Sequence, residues 1–280
     1  MLFDDFEDES LGLIDGQDGW HSAGGPNSVV VDPFDPSNRV LEVPSSSSTL
    51  RKSLLVVGLP VPDGEARMLF LRLGVAEKQT FSMGVSHLTS PREYSDFGPE
   101  IGMANSTQNL DLRVWDDDGG NYVNVTQFTP TTWYNIWVHV DAASDTYRLW
   151  TNHIPGADAS PDDLLHTETG DDLFAFRAGR VGDLVSFYIK TSGGSSGTNF
   201  GPIYIDDIYV EQSGVTNLAN PVSGVCEADL NGDGMLDLTD IGIFVTAFVM
   251  QDPVADLTGD GVHDLADVNA FVTSFVAGCV

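Results

Sequence analysis

Near its C-terminal end the sequence repeats itself. The twelve residues D-L-N-G-D-G-M-L-D-L-T-D at Asp229–Asp240 return as D-L-T-G-D-G-V-H-D-L-A-D at Asp256–Asp267. Aligned at an offset of 27, Asp229–Phe248 and Asp256–Phe275 are identical at 12 of 20 positions, which marks a tandem duplication. A hard cation such as calcium needs six to eight oxygens at about 2.3–2.6 Å, and a twelve-residue loop supplies them from positions 1, 3, 5, 7, 9 and 12. In the first copy these are Asp229, Asn231, Asp233, the carbonyl of Met235, Asp237 and Asp240. In the second they are Asp256, Thr258, Asp260, the carbonyl of Val262, Asp264 and Asp267. Gly234 and Gly261 take the sixth position, where the sharp turn needs φ > 0. Thr258 offers a neutral oxygen, so the second site is expected to bind calcium less tightly. Each loop runs into apolar residues at helical spacing, Ile241, Phe244, Val245 and Phe248, then Val268, Phe271, Val272 and Phe275. The alternative reading is a pair of acidic turns on a solvated surface.

Position 12 is Asp in both loops, where the usual EF-hand has a bidentate Glu. A short stretch containing helix breakers precedes each loop in place of an entering helix. These features resemble the dockerin domain, a pair of loop-helix half EF-hands that binds a cohesin on another protein; the resemblance covers about 55 of the 280 residues. It implies two calcium ions and a cohesin-like or self partner. Positions 10 and 11, Leu238-Thr239 and Leu265-Ala266, depart from the small polar pair that contacts cohesin in cellulosomal dockerins. The closing Ala277-Gly278-Cys279 and the flanking cysteines look more like the dockerin-type anchors of secreted planctomycete-type proteins.

Charge narrows the partners. With 42 acidic and 12 basic residues, a formal charge of −30 argues against nucleic acid and anionic membrane. Residues 226–280 hold ten acidic residues and no Lys or Arg, so their fold should depend on cations, and two calcium ions would neutralise four of those charges. The two cysteines of the chain, Cys226 and Cys279, bracket this module and read as a disulfide; two buried unpaired thiols are the alternative. A loop of that length would gain about 4 kcal/mol in the chain-entropy model. Calcium and a disulfide together point to a secreted, extracellular or cell-surface setting. Met1-Leu2-Phe3 leads into Asp4-Asp5 without a basic or apolar leader, so the sequence is expected to be a mature form or one from which a signal has been removed. No apolar run has the length of a membrane span, and no membrane insertion is expected.

Residues 1–211 read as all-β. Period-2 runs bounded by Gly, Pro, Asn and Ser occur at 29–31, 39–43, 66–73, 81–86, 110–115, 122–125, 133–140, 147–151, 185–190 and 203–210. Many short strands without crossover helices predict an antiparallel two-sheet sandwich, a jelly roll, with loops at 45–48 and 191–198. The polar stretch 212–225 reads as a linker to the helical calcium domain at 226–280. The opening F-D-D-F-E-D, the Gly19-Trp20 that follows and the closing I-Y-I-D-D-I-Y-V-E resemble the two ends of concanavalin-like and laminin-G-like jelly rolls, including carbohydrate-binding modules. That resemblance implies a structural calcium joining Glu7 to Asp206 or Asp207. An acidic strand end beside a turn is the alternative.

Alternation places Tyr134, Ile136, Val138 and Val140 on one face of their strand, and Trp133, Asn135, Trp137 and His139 on the other. By the same rule Leu110, Leu112 and Val114 face inward and Arg113 and Trp115 outward, while Tyr147 and Leu149 face inward and Arg148 and Trp150 outward. If these three strands are neighbours, Trp115, Trp137, Trp150, Arg113, Arg148 and His139 form one aromatic and polar face suited to a sugar. The alternative is that loops cover these indoles or that they pack between the sheets. The sandwich carries 32 acidic and 12 basic residues, which favours a neutral polysaccharide.

No catalytic motif is found. The E-x-D-x-x-E pair of concanavalin-like hydrolases is missing, no G-x-S-x-G occurs, the histidines lack metal-ligand spacing, and Asp116–Gly120 reads as a hairpin turn. Three functions follow: a secreted calcium-dependent glycan-binding protein anchored through the dockerin-like module, a polysaccharide-active enzyme, or a self-assembling surface subunit.

Overall fold

In a computed structural model the described residues are 1–34, 36, 38–104, 110–116, 120–154, 156–178, 182–192, 201–222, 228, 230–231, 238–258 and 261–277. The strands among them are β1 (Leu2–Asp4), β2 (Gly12–Leu13), β3 (His21–Gly24), β4 (Ser28–Val31), β5 (Arg39–Val43), β6 (Ser48–Ser53), β7 (Ala66–Val75) and β8 (Phe81–Ser86). They continue with β9 (Glu100–Met103), β10 (Leu110–Asp116), β11 (Asn121–Phe128), β12 (Thr132–Asp141), β13 (Thr146–Asn152), β14 (Phe174–Ala175), β15 (Ser186–Thr191) and β16 (Ile203–Glu211). Two helices close the chain, α1 (Leu238–Met250) and α2 (Leu265–Ala277). Neither is long and apolar enough to cross a membrane.

The strands form two antiparallel sheets. The first runs β14-β13-β12-β7-β16-β5-β4-β2 with β1 on β16, and the second runs β11-β10-β9-β8-β15-β6-β3. Every expected run lies within or largely within a strand, and the order is consistent with a jelly roll. The core follows the alternation: Tyr134, Ile136, Val138 and Val140 of β12, Leu110, Leu112 and Val114 of β10, and Tyr147 and Leu149 of β13 all join one buried cluster. The expected loop at 45–48 ends one residue early, because Ser48 opens β6. Its hydroxyl and that of Thr191 lie 2.8 Å apart, and Thr191 is its partner across the ladder.

By internal packing the chain divides into two units, Met1–Ile154 with Ala159–Leu218, and Pro155–Asp158 with Ala219–Val280. The second unit thus takes in a short loop from between β13 and β14. Asn220 ties it there, its backbone N–H reaching Asp158 Oδ1 at 2.9 Å and its side-chain amide the carbonyl of Ala157 at 3.0 Å. Within this unit Phe244 of α1 stacks on Phe271 of α2, centroids 4.2 Å apart. Leu230, Ile241, Phe248, Leu257, Val268 and Phe275 pack around that pair. Val245 and Val272, expected on the inner helical face, are instead about half exposed. Two thirteen-residue helices cannot bury more than a narrow stripe of each other.

Candidate functional site

The outer face of the second sheet gathers the most chemistry. Arg113 and Trp115 point outward from β10 because Leu112 and Val114 point into the core. Trp115 faces Tyr122 across the ladder, their rings 5.0 Å apart and edge to face. Glu100, at the start of β9, is fully buried. Its carboxylate accepts from Tyr122 OH at 2.6 Å and from Arg177 Nη1 at 2.7 Å. The Arg177 guanidinium lies 4.0 Å from the Trp115 ring centroid, and that of Arg113 lies 3.6 Å from Tyr122. Burial, with Glu100 beside it, pushes the Tyr122 hydroxyl upward; burial pulls Arg113 downward.

Pairing sets the floor of this face. One row crosses the sheet as Lys190, Ser82, Gly102, Arg113 and Asn124. At about 4.8 Å per strand, Lys190 and Arg113 stand about 14 Å apart, and Ser82 and Gly102 between them are buried beneath the surrounding groups. The Phe97–Pro99 segment closes over one side. Phe97 stacks on Tyr188 of β15 at 4.5 Å, and the carbonyls of Gly98 and Phe97 accept from the N–H groups of Arg177 and Ala178. From the first sheet, the buried Tyr147 hydroxyl donates to the carbonyls of Glu100 at 2.9 Å and Trp115 at 2.5 Å, fixing the strands that carry both side chains. Trp115 Nε1, Arg113 Nε and Tyr188 OH are buried with no hydrogen-bond partner among the described residues. Buried donors of this kind are normally met by water or a ligand.

The six residues expected to share one face do not. Trp137 and Trp150 are direct partners on β12 and β13, as are His139 and Arg148, so these four stand together on the outer face of the first sheet. Arg113 and Trp115 stand on the second sheet. Alternation tells which way a side chain points relative to the core and leaves open which sheet its strand joins. Trp137 and Trp150 are also 1% and 7% exposed; Phe70 packs edge-on against Trp137, and Leu164 bridges to Trp150. The reading in which these indoles are covered therefore holds for this pair. Arg148 meets Asp172 at 3.3 Å, and burial pulls His139 downward. Glu100, Tyr122 and Arg177 were missed, since pairing across strands and a crossing loop segment bring them to Trp115.

The N-terminal acidic residues divide into two groups. Glu7 Oε1 accepts the Arg39 N–H at 2.7 Å, Asp206 Oδ2 accepts from Asn38 at 2.8 Å, and Asp207 Oδ2 meets Arg72 at 3.0 Å. A bulge in β16 puts Asp207 at φ 51. Burial pushes Asp206 up to about 8, with Asp207 adding to it. Protein donors thus engage Glu7, Asp206 and Asp207, the ligand set that the family resemblance implied. A different set converges: one carboxylate oxygen from each of Asp4, Glu9 and Asp18 lies within 4.8 Å of the others. Lys52 Nζ meets Asp4 Oδ2 at 2.5 Å and also contacts Asp18, and Trp20 Nε1 donates to Asp4 Oδ2 at 2.6 Å. Burial, then the nearby Asp4, pushes Glu9 up to about 7.

In the second unit, Asp229, Asp233, Met235, Asp237, Asp260, Cys226 and Cys279 lie outside the described residues, as does part of the Asp116–Gly120 turn. The described loop residues behave alike in both copies. Asp240 and Asp267, each at position 12 and fully buried, reach back to position 3 of their own loops. Asp240 Oδ1 accepts from the N–H groups of Leu230 and Asn231 at 3.0 and 3.4 Å. Asp267 Oδ1 accepts from Thr258 N–H at 3.1 Å, and its Oδ2 accepts from Asp264 N–H at 2.9 Å. Gly261 has φ 80 at the turn, and its N–H donates to Asp256 Oδ2 at 2.8 Å. The donor chemistry of this set suits a hard cation, for which Asp256, Thr258, Asp264, Asp267 and the Val262 carbonyl would be the oxygen donors among the described residues.

Together these features define an antiparallel two-sheet sandwich with an aromatic and cationic outer face, followed by a small paired-helix unit. No protein-family model matches the sequence, and no curated protein matches it. Among solved structures, the carbohydrate recognition domain of Emp47p is similar over 76% of this chain and 98% of its own, at 11% identity and TM-score 0.44. The exoplasmic/lumenal domain of VIP36, bound to Ca2+ and Man3GlcNAc, is similar over 72% and 89%, at 9% identity and TM-score 0.43. The catalytic domain of a glycoside hydrolase family 131 protein from Coprinopsis cinerea is similar over 73% and 88%, at 12% identity and TM-score 0.43.

Proposed function

We propose that this chain is a secreted glycan-binding protein whose carbohydrate lies across the outer face of the second sheet, against Trp115. The observation that carries this reading is the assembly of Trp115, Tyr122, Arg113, Arg177 and Glu100 on one face, where indole and phenol rings meet buried polar groups. Sugars need that combination, an apolar face to stack on and fixed polar groups for hydroxyls. The sandwich is strongly acidic, and Arg177 and Lys190 on this face are paired with Glu100 and Glu93, so a neutral polysaccharide is the ligand of choice. With one principal ring the affinity per site is weak, at about 0.5–1.5 kcal/mol per stacked ring, and gains from multivalency.

The second unit is assigned, on its repeat and the matched Asp240 and Asp267 geometry, as a dockerin-like calcium module that holds the sandwich to a cohesin-like or self partner. Cys226 and Cys279 close it as a disulfide; two reactive thiols per unreduced, denatured chain would refute that pairing. Affinity electrophoresis through gels containing neutral or anionic polysaccharides tests the glycan reading. Retardation by a neutral polymer, lost in Trp115→Ala, is expected. Retardation that survives Trp115→Ala and Tyr122→Ala together would remove this face.

A further inference from the structure

The strongest unassigned feature lies where the first strand enters the sandwich. A cleft of about 470 Å³ is lined there by five carboxylates, Asp4, Asp5, Asp8, Glu9 and Asp18. Three of them converge, one oxygen each from Asp4, Glu9 and Asp18 lying within 4.8 Å of the other two. Asp4 has partners: Lys52, Trp20 Nε1 and the Phe6 N–H, the last at 3.0 Å. Asp18 has Lys52 and is otherwise open to the cleft, its side chain 63% exposed. Glu9 is different. The residue is 5% exposed, it lines the cleft, and its carboxylate accepts from its own backbone N–H and from no other described group.

Burial disfavours the charged form of Glu9, so its carboxylate at the cleft is met by a proton or by a cation. With all three carboxylates ionised, the single charge of Lys52 leaves two negative charges in excess, the number one divalent cation would balance on displacing the Glu9 proton. The donors are all oxygens, and the side toward Asp18 is open to water, as a hard cation that keeps part of its hydration requires. We propose that Asp4, Glu9 and Asp18 form a calcium-class cation site in the sandwich, distinct from the C-terminal loops and from Glu7, Asp206 and Asp207. Glu9 and Asp18 are its principal ligands. Asp4 joins through the oxygen it shares with Lys52 and Trp20, so the ion ties the β1 entry and the turn before β3 to the core around Trp20.

Terbium is a suitable probe, because it replaces calcium at oxygen sites and emits when a nearby indole is excited. Trp20 is in hydrogen-bond contact with Asp4. Residues 219–280 contain neither Trp nor Tyr, so the C-terminal loops have no indole of their own, and Asp240→Asn controls for emission from them. Full-length protein titrated with terbium is expected to show saturable, calcium-displaceable emission. Asp18→Asn, at an exposed position that tolerates change, and Glu9→Gln are each expected to weaken binding on the order of tenfold, since ligand charge sets affinity at such sites. Asp240→Asn should leave the signal unchanged, and a cooperative urea transition for Asp18→Asn without added cation, with its midpoint close to that of the parent protein, separates ligand loss from unfolding. Absence of sensitised emission, emission that survives both substitutions, or emission removed by Asp206→Asn instead would overturn the assignment.

Discussion

Lys52 shows how one residue can hold a region together. Its ammonium is buried between Asp4 and Asp18 and lies 5.0 and 5.7 Å from the ring centroids of Phe3 and Trp20. Those rings, with Phe187, form the edge-to-face cluster that anchors the first strand to the second sheet. Lys52→Met keeps the stem but leaves Asp4 buried without its counter-charge. Removing one partner of a buried pair costs about 3–5 kcal/mol, and a fall of that size in unfolding free energy by urea titration is expected. Asp18→Asn touches the exposed partner and should cost under about 1 kcal/mol. A loss below 1 kcal/mol in Lys52→Met would mean that Asp4 finds other compensation.

At the scale of elements, the outer face of the second sheet depends on how closely the Phe97–Pro99 segment approaches β8. A Cβ on Gly84 would stand 2.1 Å from the Pro99 carbonyl oxygen, so that segment rests on the bare glycine. Gly84→Ala is expected to push it away, loosen the Phe97–Tyr188 stack and the bonds to Arg177, and cost about 1–3 kcal/mol. Glycan retardation should weaken with it; unchanged stability together with unchanged retardation would show that the segment plays no part. The strands themselves were legible in the sequence, because alternation of Tyr134, Ile136, Val138 and Val140 against polar neighbours has one physical solution. The strands passed over, such as β1, β6 and β9, are short or lack that alternation: β9 reads Glu-Ile-Gly-Met and β6 carries the buried Lys52. Two of the five residues of the candidate face were legible, Arg113 and Trp115. The rest depends on which strands pair, and hydropathy carries no record of that, so Trp137 and Trp150 were grouped with Trp115 although they lie on the opposite sheet.

For the whole molecule, two units of different physics share one chain. The sandwich has a single large apolar core, whereas residues 226–280 carry ten acidic residues, no basic ones and a core built on one stack of phenylalanines. Chelation is therefore expected to expose the second unit to limited proteolysis while the sandwich stays intact, with Asp260→Ala giving part of the effect at full calcium. Equal resistance with and without chelator would contradict a calcium-held module. Placement of the glycan on the second sheet is tested most directly by hydroxyl-radical footprinting with and without the polysaccharide that retards the protein. Trp115 and Tyr122 are expected to be protected, and Trp133, half-buried on the outer face of the first sheet, to be labelled equally in both. Protection of Trp133 with none at Trp115 would place the ligand on the wrong sheet for this account.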